Sequence, residues 1–124
     1  MAAQPDYWGE ILPAQERTPL AILREQASLL GTKTKNLVEA TVDTSVTPDG
    51  QFVHRFTLVV PALSSYKYEL FRIEHGVAIY PIHTSEPPAL GLETEQEFTD
   101  WLHRKLSSAE TKRIIANLLA QATS

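Results

Sequence analysis

The fold is decided by residues 38–60, which read VEATVDTSVTPDGQFVHRFTLVV. Apolar and polar side chains alternate on both sides of the central TPDGQ segment, and this alternation is typical of two half-buried β-strands. Pro48 suits the first position of a type I turn, and Gly50 suits the left-handed residue of a three-residue hairpin loop. We therefore predict an antiparallel hairpin with strands at residues 37–46 and 52–60.

The register of this hairpin follows from the length of its loop. A three-residue loop places apolar side chains opposite each other in the pairs Val46–Phe52, Val42–Phe56, Ala40–Leu58 and Val38–Val60. A two-residue loop would shift the pairing and break this match. In the same register His54 lies opposite Thr44 on the apolar face. A buried imidazole there needs a hydrogen-bond partner, and the Thr44 hydroxyl could supply it.

A second hairpin is predicted over residues 66–83, with its turn at Glu74-His75-Gly76. The same type of loop would place Phe71 and Ile73 on one face of the ribbon. The other face would then carry a second apolar group, namely Tyr66, Tyr68, Leu70, Tyr80 and Ile82. The ribbon is therefore expected to be apolar on both faces. Pro81 lacks an N–H group, which predicts an edge position for the last strand.

Three helices flank the predicted strands. Thr18 can cap a helix over residues 18–30, and Gly31 can end it in a left-handed conformation. Capping-box spacings at 94–97 and at 107–110, with Ser107 as the second cap, predict two helices near the C-terminus. The predicted order is α-β-β-β-β-α-α. This is an α+β fold in which one N-terminal and two C-terminal helices cover one face of a four-stranded antiparallel meander.

Residues 1–17 show no sustained period, and we expect an extended N-terminal arm ahead of a single α+β domain at residues 18–124. Large apolar side chains of the arm would be exposed to water if the arm were free, so we expect it to dock on the domain. The arm could cover the tyrosines of the second hairpin; the alternatives are that a partner, a second copy or a small ligand covers them. The arm's apolar side chains are Tyr7, Trp8, Ile11 and Leu12.

The composition excludes several classes of protein. With 124 residues, 43% of them hydrophobic, and no cysteine, the chain fits one globular domain that folds without disulfides or thiolate metal sites. A net charge of −4 gives no general attraction to nucleic acid. Arg55 and Arg72 beside tyrosines would suit single-stranded nucleic acid, but the acidic total argues against such a partner. No apolar run approaches the roughly 18 residues of a membrane helix. We expect a cytoplasmic protein that does not bind membranes.

The usual catalytic signatures are missing from the sequence. It contains no glycine-rich phosphate loop, no G-x-S-x-G elbow, no H-E-x-x-H motif and no calcium-binding loop. No two of the four histidines have the i,i+4 spacing of a helical metal site. We therefore predict neither a metal site nor a cofactor.

Two functional hypotheses remain open. The first is a non-enzymatic protein-interaction module, such as a regulatory, chaperone-like or immunity-type accessory protein, that binds a protein partner or a second copy of itself. Its candidate interface is the aromatic sheet surface made by Tyr66, Tyr68, Leu70, Tyr80 and Ile82, because tyrosine is enriched where partners dock. The alternative is a small hydrolase or ligand-binding protein. In that case His54 or His83 would work with a tyrosine hydroxyl in a pocket between sheet and helices.

Overall fold

The structure is a computed structural model that describes residues 5–124. Its elements in chain order are α1 (Pro19–Lys33), β1 (Glu39–Val46), β2 (Phe52–Val60), a 3₁₀ turn (Pro61–Leu63), β3 (Tyr66–His75), β4 (Ile82–Thr84), β5 (Gly91–Leu92), α2 (Glu95–Leu106) and α3 (Ala109–Ala122). The strands form one antiparallel sheet in the order β1-β2-β3-β4-β5. The predicted α+β meander with one N-terminal and two C-terminal helices is confirmed, with five strands in place of four.

The first hairpin has the predicted register. Val46 pairs with Phe52, Val42 with Phe56 and Ala40 with Leu58. The loop is closed by Thr47 N, which donates to Gln51 O at 2.8 Å, and Gly50 has a φ of 85°. The fourth predicted pair, Val38–Val60, lies just beyond the ladder, and both of its side chains are fully buried.

A β-bulge interrupts the pairing between β2 and β3. Phe56 pairs with Phe71, but Thr57 pairs with Glu69, so that Leu70 is an extra residue on β3. Leu70 and Phe71 are consecutive in the strand, and both are buried. A bulge of this kind shifts the alternation of side chains by one position.

Because of this shift, the apolar residues of β3 on both sides of the bulge belong to the face that the helices cover. Tyr68 lies opposite the buried Leu58, and Ile73 lies opposite the buried His54; such cross-strand partners share a face. The other face of β3 is charged, with Lys67, Glu69, Arg72 and Glu74. The predicted ribbon with two apolar faces is therefore wrong.

The predicted turn at residues 74–76 is also wrong. β3 continues to His75, which pairs with Ile82, and the connection to β4 runs over residues 76–81. Val77, which a turn at residues 74–76 would pair with Ile73, is 88% exposed in this connection. The tyrosines at the start of β3 are consequently not paired with the last part of the predicted hairpin.

β4 is not an edge strand, contrary to the prediction from Pro81. Ile82 pairs with His75 on one side and with Leu92 of β5 on the other. Pro81 precedes the strand, so its missing N–H costs the ladder no hydrogen bond. β5 lies in the proline-containing segment 86–92, and a strand of two residues is too short to show alternation in the sequence.

The helix caps agree with the prediction except at two positions. Thr18 caps α1 as predicted. Gly31 does not end α1, because the helix continues through it and Asn36, with a φ of 63°, takes up a left-handed conformation instead. Ser108, and not Ser107, caps α3.

The N-terminal arm is not docked on the domain. Residues 5–17 contain no helix or strand, and the predicted docking is wrong because the four large apolar side chains are exposed: Tyr7 91%, Trp8 81%, Ile11 70% and Leu12 71%. Residues 1–4 of the predicted arm lie outside the described residues. The end of the arm is held at Arg17, whose backbone N donates to Glu95 Oε1 at 3.1 Å.

The core lies between the covered face of the sheet and the helices. Phe56 stacks on Phe71 with ring centroids 5.1 Å apart, and Trp101 of α2 meets Phe71 edge-on at 5.2 Å. Leu23 of α1 and Leu118 of α3 belong to the same cluster. Full burial of one such side chain contributes about 1.5–3 kcal/mol, so this cluster fixes where the helices sit on the sheet.

Candidate functional site

The five residues of the predicted aromatic surface do not form one exposed patch. Leu70 and Ile82 lie in the core, at 6% and 0% exposure. Tyr80 is half-buried and packs against the core. Tyr66 and Tyr68 remain exposed, at 47% and 36%. The bulge in β3 and the long connection to β4 separate residues that a regular hairpin would have brought together.

The N-terminal half of β3 is an open edge of the sheet. β2 pairs with β3 along its length, whereas β4 pairs only with residues 73–75. Just beyond β4, the Ser85 Oγ donates a hydrogen bond to the Arg72 carbonyl oxygen at 3.4 Å. Among the described residues, no strand pairs with residues 66–71 on that side, and residues 66–69 are all exposed. Such an edge offers backbone N–H and C=O groups to another chain.

The charged face of this edge carries side chains of both signs. Glu69 accepts hydrogen bonds from Arg72, at 3.0 Å from Nη2, and lies 3.6 Å from Arg55 Nε. Lys67 has no ion pair among the described residues. These pairs are partly exposed, so each contributes about 0–1 kcal/mol to stability. Lys67, Glu69, Arg72 and Glu74 alternate in sign along β3, so the charges of this face largely balance.

A cavity of about 640 Å³ lies between α1 on one side and α2 and α3 on the other. We call it the interhelical groove. Its floor is the covered face of the sheet at Phe56, Leu58 and Leu70. Its walls are mainly aliphatic, with Ile22, Leu29, Leu30, Leu102, Leu106 and Ile115. The volume is in the range of sites that bind small molecules or large side chains.

The rim of the interhelical groove is basic. Lys33 of α1 and Lys112 of α3 line opposite walls, and neither has an ion pair in the part of the chain that the structure describes. Arg17 also lines the groove, but it is paired with Glu25 at 2.7 Å. The groove therefore suits an apolar segment that carries negative charge.

Two of the histidines lie in a buried chain of hydrogen bonds. Thr44 Oγ1 is 2.9 Å from His54 Nδ1, His54 Nε2 is 2.9 Å from His75 Nε2, and His75 Nδ1 is 2.8 Å from Gly76 O. The Gly76 carbonyl can only accept, so His75 donates from Nδ1 and accepts at Nε2 from the Nε2–H of His54. His54 Nδ1 then accepts from the Thr44 hydroxyl. The predicted contact between His54 and Thr44 is confirmed.

This chain of hydrogen bonds leaves His54 unsuited to acid–base catalysis. Burial, together with the nearby His75 and Arg24, lowers the pKa of His54 from 6.5 to about 4. The residue is 3% exposed, and both of its ring nitrogens are occupied within the protein. A general base must reach the proton that it abstracts. His54 therefore serves the structure of the domain.

His83 does not meet His54. It is exposed on β4 opposite Glu74 of the charged face, whereas His54 belongs to the covered face. Among the described residues, no histidine nitrogen is hydrogen-bonded to a tyrosine hydroxyl, and no group of three or more His, Asp or Glu could hold a metal ion. The pocket suggested for His54 or His83 with a tyrosine is not assembled.

Comparisons with known proteins do not assign this chain to a family. Over residues 5–124 no helix is long and apolar enough to cross a membrane. Neither a protein-family model nor a curated protein nor a solved structure gives a significant match to this chain.

Proposed function

We propose that this protein is a non-enzymatic interaction module, of the regulatory or accessory kind, that binds an extended segment of a partner protein along the open edge of β3. The observation that carries the proposal is a strand edge unpaired over residues 66–71 with two exposed tyrosines on it. Strand addition to such an edge is a recurrent mode of peptide recognition.

The two faces of the edge define the chemistry of the partner segment. In strand addition, backbone hydrogen bonds provide affinity, and alternate side chains provide specificity. Tyr66 and Tyr68 are two positions apart and share the covered face, where aromatic or β-branched side chains of an added strand would pack beside them. Lys67 on the other face has no ion pair among the described residues and favours an acidic side chain beside it. The expected segment has large apolar side chains at alternate positions and an acidic side chain at the position beside Lys67.

The enzymatic alternative has less support. It needs His54 or His83 in a concave site with a polar partner, and the two histidines lie on opposite faces of the sheet. Both ring nitrogens of His54 are hydrogen-bonded to other side chains of the domain. The interaction-module hypothesis requires no such pocket.

Site-specific photocrosslinking in the native host tests the proposal. The photoreactive residue p-benzoylphenylalanine replaces Tyr68 in one variant and Val46 in a matched control. Val46 is also exposed and apolar but lies on β1, and β2 separates that strand from β3 in the sheet. We expect a discrete adduct with another protein from position 68 and not from position 46. Adding Tyr66→Glu should abolish the adduct, whereas adding Val46→Glu should not.

Three crosslinking results at positions 46 and 68 would overturn the proposal. They are the same adducts from positions 46 and 68, no adduct from position 68, and an adduct that survives Tyr66→Glu. An adduct that contains two copies of this chain would also overturn it, because the partner would then be the protein itself.

A further inference from the structure

The N-terminal arm presents an apolar cluster that its own domain does not cover. Tyr7 and Trp8 are exposed at 91% and 81%. They lie in a local turn, in which Trp8 N donates to Asp6 Oδ1 at 2.9 Å and Gly9 has a φ of 69°. Both side chains lie on the outside of the protein. Exposed apolar groups in such a cluster mark an interaction site.

The arm and the interhelical groove are complementary in charge. Residues 5–16 contain Asp6, Glu10 and Glu16 and no lysine or arginine. The groove carries Lys33 and Lys112 on opposite walls, without ion pairs among the described residues. Both surfaces are otherwise largely apolar. An acidic, aromatic segment and a basic, aliphatic groove therefore occur in the same chain.

We propose that the arm of one copy binds in the interhelical groove of a second copy, and that the exchange is reciprocal. The arm leaves the domain at Arg17, where the backbone is held on both sides: its N donates to Glu95, and the Tyr80 hydroxyl donates to its carbonyl at 3.4 Å. From this exit the arm stays exposed and leaves its own groove unfilled. Two identical contacts related by a two-fold axis close the assembly at a dimer.

The area available is that of a stable dimer. An aromatic side chain can bury about 150–250 Å², so Tyr7 and Trp8 at their exposure offer roughly 260–430 Å² per arm. Two arms against two grooves then remove about 1,000–1,700 Å² in total from water, since each arm surface covers an equal groove surface. Stable interfaces bury about 1,200–2,000 Å². Ile11 and Leu12 add to this area.

The test measures the oligomeric state by sedimentation equilibrium over a range of protein concentrations. Wild-type protein is expected to dimerise. Trp8→Ser on the arm and Leu29→Glu on the groove wall should each weaken the dimer about 30-fold or more, as expected for a central aromatic contact or a charge buried in its pocket. Leu29 is 45% exposed, so its replacement is compatible with folding. Val46→Glu, at an exposed apolar residue outside both surfaces, should leave the dimer unchanged.

Mixing the two weakened variants provides a further test of reciprocal exchange. In an equimolar mixture, the intact arm of Leu29→Glu meets the intact groove of Trp8→Ser. We expect heterodimers with an affinity between that of the wild type and those of the single variants. Raising the salt concentration should weaken the wild-type dimer, because the arm and the rim carry opposite charges.

Trp8 also reports where the arm binds. The difference in fluorescence between wild type and Trp8→Phe should shift to shorter wavelength as the protein concentration rises. A blue shift that is independent of concentration would place the arm in its own groove and overturn the proposal. So would a wild type that stays monomeric, or a dimer that survives both Trp8→Ser and Leu29→Glu. Loss of the dimer in Tyr68→Glu would assign it to the β3 edge and would also overturn the proposal.

Discussion

Acidification from pH 7 to pH 5 is expected to destabilise this protein through His54. Burial holds the pKa of this imidazole near 4 in the folded state, against 6.5 in the unfolded chain. Below pH 6.5 the unfolded state therefore binds a proton that the folded state resists. The stability that the neutral imidazole contributes is complete above pH 6.5 and is lost as the pH falls towards 4.

The size of the effect follows from the two pKa values. A difference of one pKa unit corresponds to about 1.4 kcal/mol, so the full displacement is worth about 3 kcal/mol. Between pH 7 and pH 5, linkage gives a loss of about 2 kcal/mol, because at pH 5 the unfolded histidine is almost fully protonated and the folded one is not. This loss is a large fraction of the roughly 5–15 kcal/mol that stabilises a typical domain.

Urea denaturation at several pH values measures this loss. His54→Gln removes the titrating group, and we expect the loss between pH 7 and pH 5 to be about 2 kcal/mol smaller in this variant than in wild type. The comparison uses the pH dependence of stability, so a lower stability of His54→Gln at pH 7 does not affect it. His103→Gln, at an exposed histidine of α2, should keep the wild-type pH dependence. Equal pH dependence in wild type and His54→Gln would refute the reasoning.

Three further changes test the packing, the turn and the cap, each by the change in unfolding free energy in urea. Leu58→Ala at a fully buried position should cost about 2–5 kcal/mol, whereas Val77→Ser at a position that is 88% exposed should change stability by about 0.5 kcal/mol or less; similar costs would contradict the placement of the core. Gly50→Ala should cost about 1–2 kcal/mol, because residue 50 has a φ of 85° and no atom would crowd the added methyl group. Gly76→Ala serves as the control, because Gly76 has no positive φ. Ser108→Ala should cost about 1 kcal/mol by removing the bond from Thr111 N, and an unchanged stability would argue against Ser108 as the cap of α3.

The first hairpin shows how far local sequence can specify structure. Its register is set by the length of one loop and by the alternation of side chains in two adjacent strands. The hydrogen bond between Thr44 and His54 follows from the same register. The caps at Thr18 and Thr94 depend only on side chains within one helical turn. All of these features involve residues that are close along the chain.

The candidate sites depend on contacts that no local pattern contains. The bulge at Leu70 moves the tyrosines of β3 to the covered face, and β4 is too short to pair with their end of the strand. His54 on β2 forms a hydrogen bond with His75 on the neighbouring strand β3, and this bond makes His54 unsuited to catalysis. Tyr66 and Tyr68 of the predicted aromatic surface are exposed on β3. Leu70 and Ile82 of the same predicted surface are buried in the core.

Alternation, turn residues and capping hydroxyls determined by themselves that this chain folds as a helix, an antiparallel meander and two more helices, because these signals act over a few neighbouring residues. Only the tertiary structure decided which apolar side chains stay exposed and where the helices leave a groove. Burial is a competition among all apolar groups for a limited covered surface, and its outcome depends on how distant segments pack.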